Sequence, residues 1–340
     1  MADMNQLPSH AHRPVPGASD QLLRERLVDR RRRLSAPGLV DREDVLALID
    51  DVDAALERLE DGSFGVCEEC DDPIETERLI ADPMTRVCLG CLSPAETRAL
   101  ERDLELASFV QAALLPETSA GVDGWEIDYR YEPLGPVSGD HCDVLPPAGP
   151  DEPLHFMLGD ISGKGVSASI LMSHLHAIFR SLVPRSLPLG ELVEHANRLF
   201  SEATLPNSYA TLVAGRLSPS GTLELCNAGH CRPLLLRSGR VLTLPTTGLP
   251  LGLFSTGRYE VNRLDLGPDD LLFLYTDGLS EACNGNGEQY GEARIASIIG
   301  VPRRLSSQAA IDMCLADVSA FRADAAREDD LTVMAIRRKS

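Results

Sequence analysis

The chain has 340 residues, 43% of them hydrophobic, and a formal net charge of -20. That length supports a large buried core and more than one domain. The negative charge argues against a mainly electrostatic grip on nucleic acid or an anionic membrane, so a protein partner is expected and direct nucleic-acid contact is not.

No charged-then-apolar signal pattern opens the chain. The most apolar stretch, Ser169 to Val183, is interrupted by Arg180 and two histidines, so no membrane span is expected. Of the nine cysteines, Cys67, Cys70, Cys88 and Cys91 come in close pairs, while Cys142, Cys226, Cys231, Cys283 and Cys314 stand singly. Such usage is unlike an evenly paired secreted framework and points to a reducing cytoplasm.

Residues 1–19 hold four prolines or glycines and little apolar periodicity, and read as a flexible leader. From Gln21 to Leu34, leucines and Val28 recur at helical spacing among six arginines. Ser35-Ala36-Pro37-Gly38 breaks that run, and a second helix follows from Asp41 to about Leu59. Its stripe of Val45, Leu46, Leu48, Ile49, Val52, Ala55, Leu56 and Leu59 needs a partner helix to cover it. The result is a short helical hairpin whose arginines form a solvated face or meet an acidic protein surface.

Cys67-x-x-Cys70 and Cys88-x-x-Cys91, separated by residues 71–87, have the spacing of a four-thiolate zinc site. Two tight turns present four sulfurs to one structural Zn2+, which substitutes for a core. The segment 55–93 resembles the DksA/TraR zinc finger, through Arg58-Leu59-Glu60-Asp61-Gly62-Ser63-Phe64-Gly65-Val66-Cys67-Glu68-Glu69-Cys70, Ile74, Arg78-Leu79 and Asp82-Pro83. That resemblance implies contact with RNA polymerase in members with a long acidic-tipped coiled coil. Here the arms reach only about 20 to 30 Å at about 1.5 Å per residue, with the tip at Val40-Asp41-Arg42-Glu43-Asp44.

Ser93-Pro94-Ala95-Glu96 starts another helix, with Pro94 at its first position and Glu96 as the capping-box acid. It runs to about Leu115 and carries Leu100, Leu104, Ala107, Val110 or Gln111, and Leu114 on one side. That side suits either a second copy, making a homodimer, or burial against the following domain. Pro116 ends it.

Beyond Trp125, hairpin-linked strands dominate, with helices grouped at Val166 to Val183, Leu189 to Ala203, Glu292 to Ile299 and Ser307 to Arg322. The expected class is α+β, with two antiparallel sheets and outer helices. Within it, the strand ending at Leu158 delivers Asp160 into the turn Gly159-Asp160-Ile161-Ser162-Gly163-Lys164-Gly165. Asp140/Asp143, Asp277 and Asp329/Asp330 also lie at predicted strand ends. Clustered carboxylates are hard donors that choose manganese or magnesium. Two such cations offset phosphate charge and hold a bridging hydroxide for attack, so no protein nucleophile is needed.

The ordered motifs Ser138-Gly139-Asp140-His141-Cys142-Asp143, Gly159 to Gly165, Asn227-Ala228-Gly229-His230, Tyr275-Thr276-Asp277-Gly278-Leu279-Ser280-Glu281-Ala282 and Asp329-Asp330-Leu331-Thr332 resemble the PPM phosphatases. The match is to their bacterial branch, of the stage II sporulation protein E and RsbU type. This resemblance implies an α-β-β-α sandwich and two Mn2+ or Mg2+ ions. Asp160 then bridges both, with the Ile161 carbonyl as a further ligand, and Asp277 and Asp329 hold the first. Asp140 and Asp143 face the second, either being the direct ligand, and Asp330 binds a metal or orients a water. Asp160, Asp277 and Asp329 are the catalytic set, His230 is structural, and Ser162 stands where eukaryotic relatives have a proton-donating histidine.

The implied domains are a leader (1–19), hairpin plus finger (20–93), helical connector (94–116) and phosphatase (117–340). The implied activity is that of a protein serine/threonine phosphatase acting on a phosphorylated regulatory protein, an anti-sigma-factor antagonist. The alternative is a non-enzymatic transcription regulator acting on RNA polymerase through the finger.

Overall fold

A computed structural model describes residues 18–35, 43–116, 122, 124–204, 208–300 and 304–339. Most of the expected leader, the break at 36–38 and the tip residues 40–42 lie outside them. The chain divides into two compact units, Met1–Glu101 and Arg102–Ser340.

In the first unit, helices α1 (Ala18–Leu34) and α2 (Glu43–Asp61) pack through Leu27, Val52 and Ala55, flanked by Leu34, Leu56 and Leu59. The buried stripe is narrower than its sequence suggests. Leu46, about 100° round the helix from Val45, is exposed, as is Leu48. Several α1 arginines are tied within the unit: Arg31 pairs with Asp53, Arg26 donates to the Ile80 carbonyl at 3.0 Å, and Arg33 pairs with Asp29 at 2.6 Å.

The finger follows. Its four sulfurs all lie within 4.8 Å of one another, and Cys70 Sγ is 3.6 Å from Cys88 Sγ, close to the edge of a tetrahedron about zinc with bonds of about 2.3 Å. The Cys88 backbone N–H donates to Cys67 Sγ at 3.3 Å and lowers that thiol to about 6, which favours the thiolate zinc requires. A small apolar cluster of Ile74 and Leu79, backed by Phe64 and Val87, sits beside the sulfurs, next to the short helix α3 (Thr76–Ala81). Helix α4 (Pro94–Ala112) opens with the expected capping box: Ser93 N–H donates to Glu96 at 2.9 Å and Glu96 N–H to Ser93 Oγ at 3.3 Å.

The second unit runs β1 (Trp125–Glu132), β2 (Asp140–Leu145), β3 (Leu154–Ile161), α5 (Val166–Leu182), α6 (Leu189–Ala203), β4 (Ala210–Leu217) and β5 (Thr222–Ala228). It continues with β6 (Leu234–Arg237), β7 (Arg240–Thr243), β8 (Asn262–Asp265), β9 (Leu271–Tyr275), α7 (Asp277–Ser280), α8 (Glu292–Ile299), α9 (Ser307–Arg322) and β10 (Leu331–Arg338). Strands order as β1-β10-β9-β6-β7 in one sheet and β2-β3-β4-β5-β8 in the other, all antiparallel.

Period-two alternation sorts the side chains into three layers. Phe156, Leu158, Val213 and Leu225 of the second sheet meet Leu272, Leu274, Met334 and Ile336 of the first. On the outer faces, Met157, Leu212 and Ala214 lie against Met172, Leu175, Phe179, Val193 and Phe200 of α5 and α6, while Phe273, Val333 and Ala335 lie against Ile295, Ile299, Ile311 and Cys314 of α8 and α9. Each large buried side chain contributes about 1.5–3 kcal/mol. This is the expected α-β-β-α sandwich.

One expectation needs correcting: by length and composition alone, Val166–Arg185 is long and apolar enough to cross a membrane, despite Arg180 and the histidines. Its apolarity is used internally. Ala168, Met172, Leu175, Phe179 and Leu182 are buried in the core of the unit.

Candidate active site

The antiparallel register sets Asp140 directly across from Asp160. Both stand at the same end of the second sheet, on the face turned toward the first. Across the layer, the end of β9 delivers Thr276 and Asp277, and the start of β10 delivers Asp329, Asp330 and Thr332. Four segments distant in sequence thus meet at one end of the sandwich.

Asp140 is buried, and its Oδ2 accepts from the Thr276 hydroxyl at 3.0 Å and from the Thr332 hydroxyl. Burial and the neighbouring Asp160 charge push its pKa well above the usual carboxylate range, and the two threonines partly offset this. Asp160 is pushed up to about 7, first by burial and then by Asp277, Asp329 and Asp330. Asp277 is raised by burial, Asp329 and Glu281. Carboxylates so mutually repulsive fit a divalent cation: hard oxygen donors converge where their own charges are unfavourable.

Glycines make this convergence possible. A Cβ on Gly278 would sit 1.8 Å from the Asp330 carbonyl oxygen, so only glycine lets the Asp277 turn close on the start of β10. Gly163 and Gly165, at φ 98° and 74°, turn the chain out of β3 into α5.

Asp330 accepts from the backbone N–H of Leu134 at 2.7 Å and of Gly139 at 3.0 Å, fastening the loop that leads into β2. Lys164 donates to the Glu328 carbonyl at 2.6 Å and pairs with Asp329 at 2.9 Å, which raises its own pKa. A groove lined by Lys164, Gly278, Glu281, Arg327 and Asp329 opens beside the acids. Ser162 is tied backbone to backbone with Tyr209, and its hydroxyl accepts the Tyr209 N–H at 2.9 Å.

Asp143 lies elsewhere. Three positions from Asp140 on a regular strand, it faces the opposite side of β2, where Arg180 of α5 donates to both carboxylate oxygens at 2.8 and 2.7 Å. It is not brought to Asp160. His230 is buried and neutral, its pKa lowered to about 4 by burial, with its Nδ1 2.7 Å from the Thr211 hydroxyl. Asn227 accepts its backbone N–H at 2.8 Å and donates to its carbonyl at 3.1 Å, an arrangement that explains the Asn-Ala-Gly-His turn by geometry alone.

Three contacts were not legible as roles: the Thr276 and Thr332 hydroxyls on Asp140, the Arg180 clamp, and Gln111 of α4. Gln111 exchanges hydrogen bonds with the Ser138 backbone at 2.7 and 2.9 Å and is buried. The face of α4 considered for a second copy is therefore partly engaged, whereas Leu106, Phe109 and Val110 are exposed.

A family model described as Stage II sporulation protein E (SpoIIE) matches residues 150–339, more than half of the chain. The chain belongs to the SpoIIE family. A prokaryotic dksA/traR C4-type zinc finger model matches residues 62–96, over the four clustered cysteines. Protein IcfG of Synechocystis is 24% identical over 69% of this chain and 41% of its own length. Phosphoserine phosphatase RsbU of Bacillus subtilis is 23% identical over 55% of this chain and 56% of its own. The chain thus spans about half the length of these curated relatives. Among solved structures, the SiaA-PP2C domain of Pseudomonas aeruginosa covers 72% of this chain and 98% of itself at 18% identity and a TM-score of 0.63, so the SpoIIE-family unit has the PP2C-type fold.

Proposed function

We propose that the chain is a manganese- or magnesium-dependent protein serine/threonine phosphatase acting on a phosphorylated regulatory protein, an anti-sigma-factor antagonist. The observation that carries this reading is the convergence of Asp160, Asp277 and Asp329 from separate segments, with Asp160 raised to about 7 by burial and by the charges of the others. Membership of the SpoIIE family and likeness to a phosphoserine phosphatase support it. Retention of these acids weighs against a non-enzymatic regulator.

In this reading Asp160, the Ile161 carbonyl, Asp277 and Asp329 hold two divalent cations. When bound, these neutralise the phosphoryl oxygens and acidify water at neutral pH. Asp140, held by two threonine hydroxyls, lies behind Asp160 and supports its side of the site. Asp330 keeps the 134–139 loop in place. Asp143 is left out of this donor set because it faces the opposite side of β2 from Asp160. Lys164, on the exposed side of Asp329, meets the incoming phosphate in the groove. Water attacks phosphorus as the bond to the serine or threonine oxygen breaks. Ser162 offers only a weakly acidic hydroxyl in place of an imidazolium, so solvent water protonates the leaving alkoxide.

The zinc finger, holding one structural Zn2+ on Cys67, Cys70, Cys88 and Cys91, serves as the docking module for a protein such as RNA polymerase. The domain division reads as leader 1–19, hairpin and finger 20–93, connector 94–116 and phosphatase 117–340. Two copies pair through the exposed apolar residues of α4. The cysteine pattern, two close pairs on zinc and five standing singly, supports a cytoplasmic setting.

The test is hydrolysis of para-nitrophenyl phosphate with MnCl2. The parent turns over and loses activity on chelation. Asp160→Ala and Asp277→Asn each lose about 100-fold or more, since a catalytic cation supplies several kcal/mol of transition-state stabilisation. No metal-dependent turnover in the parent, or turnover indifferent to both changes, would overturn the proposal.

A further inference from the structure

On the outer face of β2, away from the acidic cluster, His141 and Asp143 meet His176 of α5. These three residues are buried, at 1%, 0% and 9% exposure. One donor atom from each lies within 4.8 Å of the other two. The two imidazoles meet edge to face with centroids 5.5 Å apart. His141 Nε2 and His176 Nδ1 are both buried without a hydrogen-bond partner, an arrangement that native interiors avoid.

The carboxylate between them is incompletely used. Asp143 Oδ1 accepts from the Val144 N–H at 2.8 Å and from Arg180 Nη2 at 2.7 Å, which occupies both of its lone pairs. Oδ2 accepts only from Arg180 Nε, at 2.8 Å, and keeps a lone pair facing His176 Nδ1 at 3.6 Å. A tetrahedral ion with bonds of about 2.0–2.2 Å spaces its donors about 3.3–3.6 Å apart. The pair already has that spacing.

We propose that His141, Asp143 and His176 form a cation site of their own, for Zn2+ or its analogue Co2+, pinning β2 to α5. Two imidazoles and one carboxylate suit a borderline divalent ion, whereas the carboxylate cluster on the other face suits Mg2+ or Mn2+. A water completes the coordination. Arg180 is the outer partner that orients the carboxylate, the role such groups play around metal ligands. The site lies next to Asp140 in the chain, so an ion here stiffens the strand that carries it.

The test uses the full-length protein with its finger loaded with zinc and excess MgCl2 over the carboxylate cluster, titrated with CoCl2. Binding is read by equilibrium dialysis and visible absorption. One equivalent of Co2+ is expected in the parent and in Asp160→Asn, with affinity reduced tenfold or more in His176→Gln and His141→Gln. Equal binding in the parent and both histidine variants would overturn the site, as would loss of the equivalent in Asp160→Asn alone. Should the histidine variants fail to fold, X-ray absorption at the cobalt edge of the parent decides. Imidazole scattering supports the site, and an oxygen-only shell, or no bound cobalt, overturns it.

Discussion

The two units of this chain use metal-binding residues in opposite ways. In the finger, the buried cluster beside the sulfurs comprises Cys67, Ile74, Leu79 and Cys88, so two of its four buried members are themselves metal-ligand candidates. In the SpoIIE-family unit, three layers of apolar side chains form the core, and the cluster around Asp160 sits at its rim. A metal in the first is a substitute for a core. In the second it relieves a repulsion that the core is strong enough to impose.

The sharpest test of that contrast is chelation. Structural zinc contributes about 10–16 kcal/mol to folding in finger peptides. Removing it, or making Cys67→Ser/Cys70→Ser, should abolish one bound zinc per chain and amide protection across 64–92, leaving 125–338 protected. Retained zinc, or joint loss of protection in both units, would break the comparison. Next in size, Gly278→Ala forces a Cβ against the Asp330 carbonyl. It should destabilise the second unit by roughly 1–3 kcal/mol and cut the proposed phosphatase activity at least tenfold, whereas Gly285→Ala, with open space around it and no positive φ, should leave activity unchanged.

A smaller effect follows from pH. The Asp160 pKa in the folded, metal-free protein, about 7, is above the ordinary carboxylate value of about 3.9. The native state therefore binds its proton more tightly than the unfolded chain. The resulting stabilisation is full below about pH 4 and is lost as pH rises through about 7. Asp277 is raised too and acts in the same direction. Chelated protein should thus melt a few degrees lower at pH 8 than at pH 5, and saturating Mn2+ should flatten the difference. A chelated melting point that rises over this range would contradict the linkage. The smallest effect on folding is expected from Phe109→Asp, at a side chain 73% exposed. Stability should change by less than about 0.5 kcal/mol, while sedimentation velocity should shift from dimer to monomer. A monomeric parent at micromolar concentration would remove α4 pairing from the account.

Much of this was legible in the sequence because it is local. Period-two and helical spacing located the strands and helices of the second unit, and the Asp-Gly turns announced strand ends. Asp143 was grouped with Asp140 because they share a motif. Yet a spacing of three along a strand already turns the two to opposite faces, and period-two alternation separates them. Arg180 on Asp143 and Gln111 on Ser138 connect residues 37 and 27 positions apart, and no local pattern reveals them. Leu46 and Leu48 look apolar enough to be covered, but burial depends on what α1 reaches.

Asp160 stands at the end of β3 in one sheet, and Asp329 lies just before β10, the strand that joins β1 to β9 in the other. The acidic cluster is therefore incomplete until the segment from Asp329 through β10 has docked, however well the earlier strands have paired. The same stretch joins β1 to β9 and carries Val333, Met334, Ala335 and Ile336 into the apolar layers, so one strand finishes both the interior and the place where cations gather. Pairing of β10 thus becomes a condition of the chemistry, and a molecule in which that strand has not docked is silent by construction.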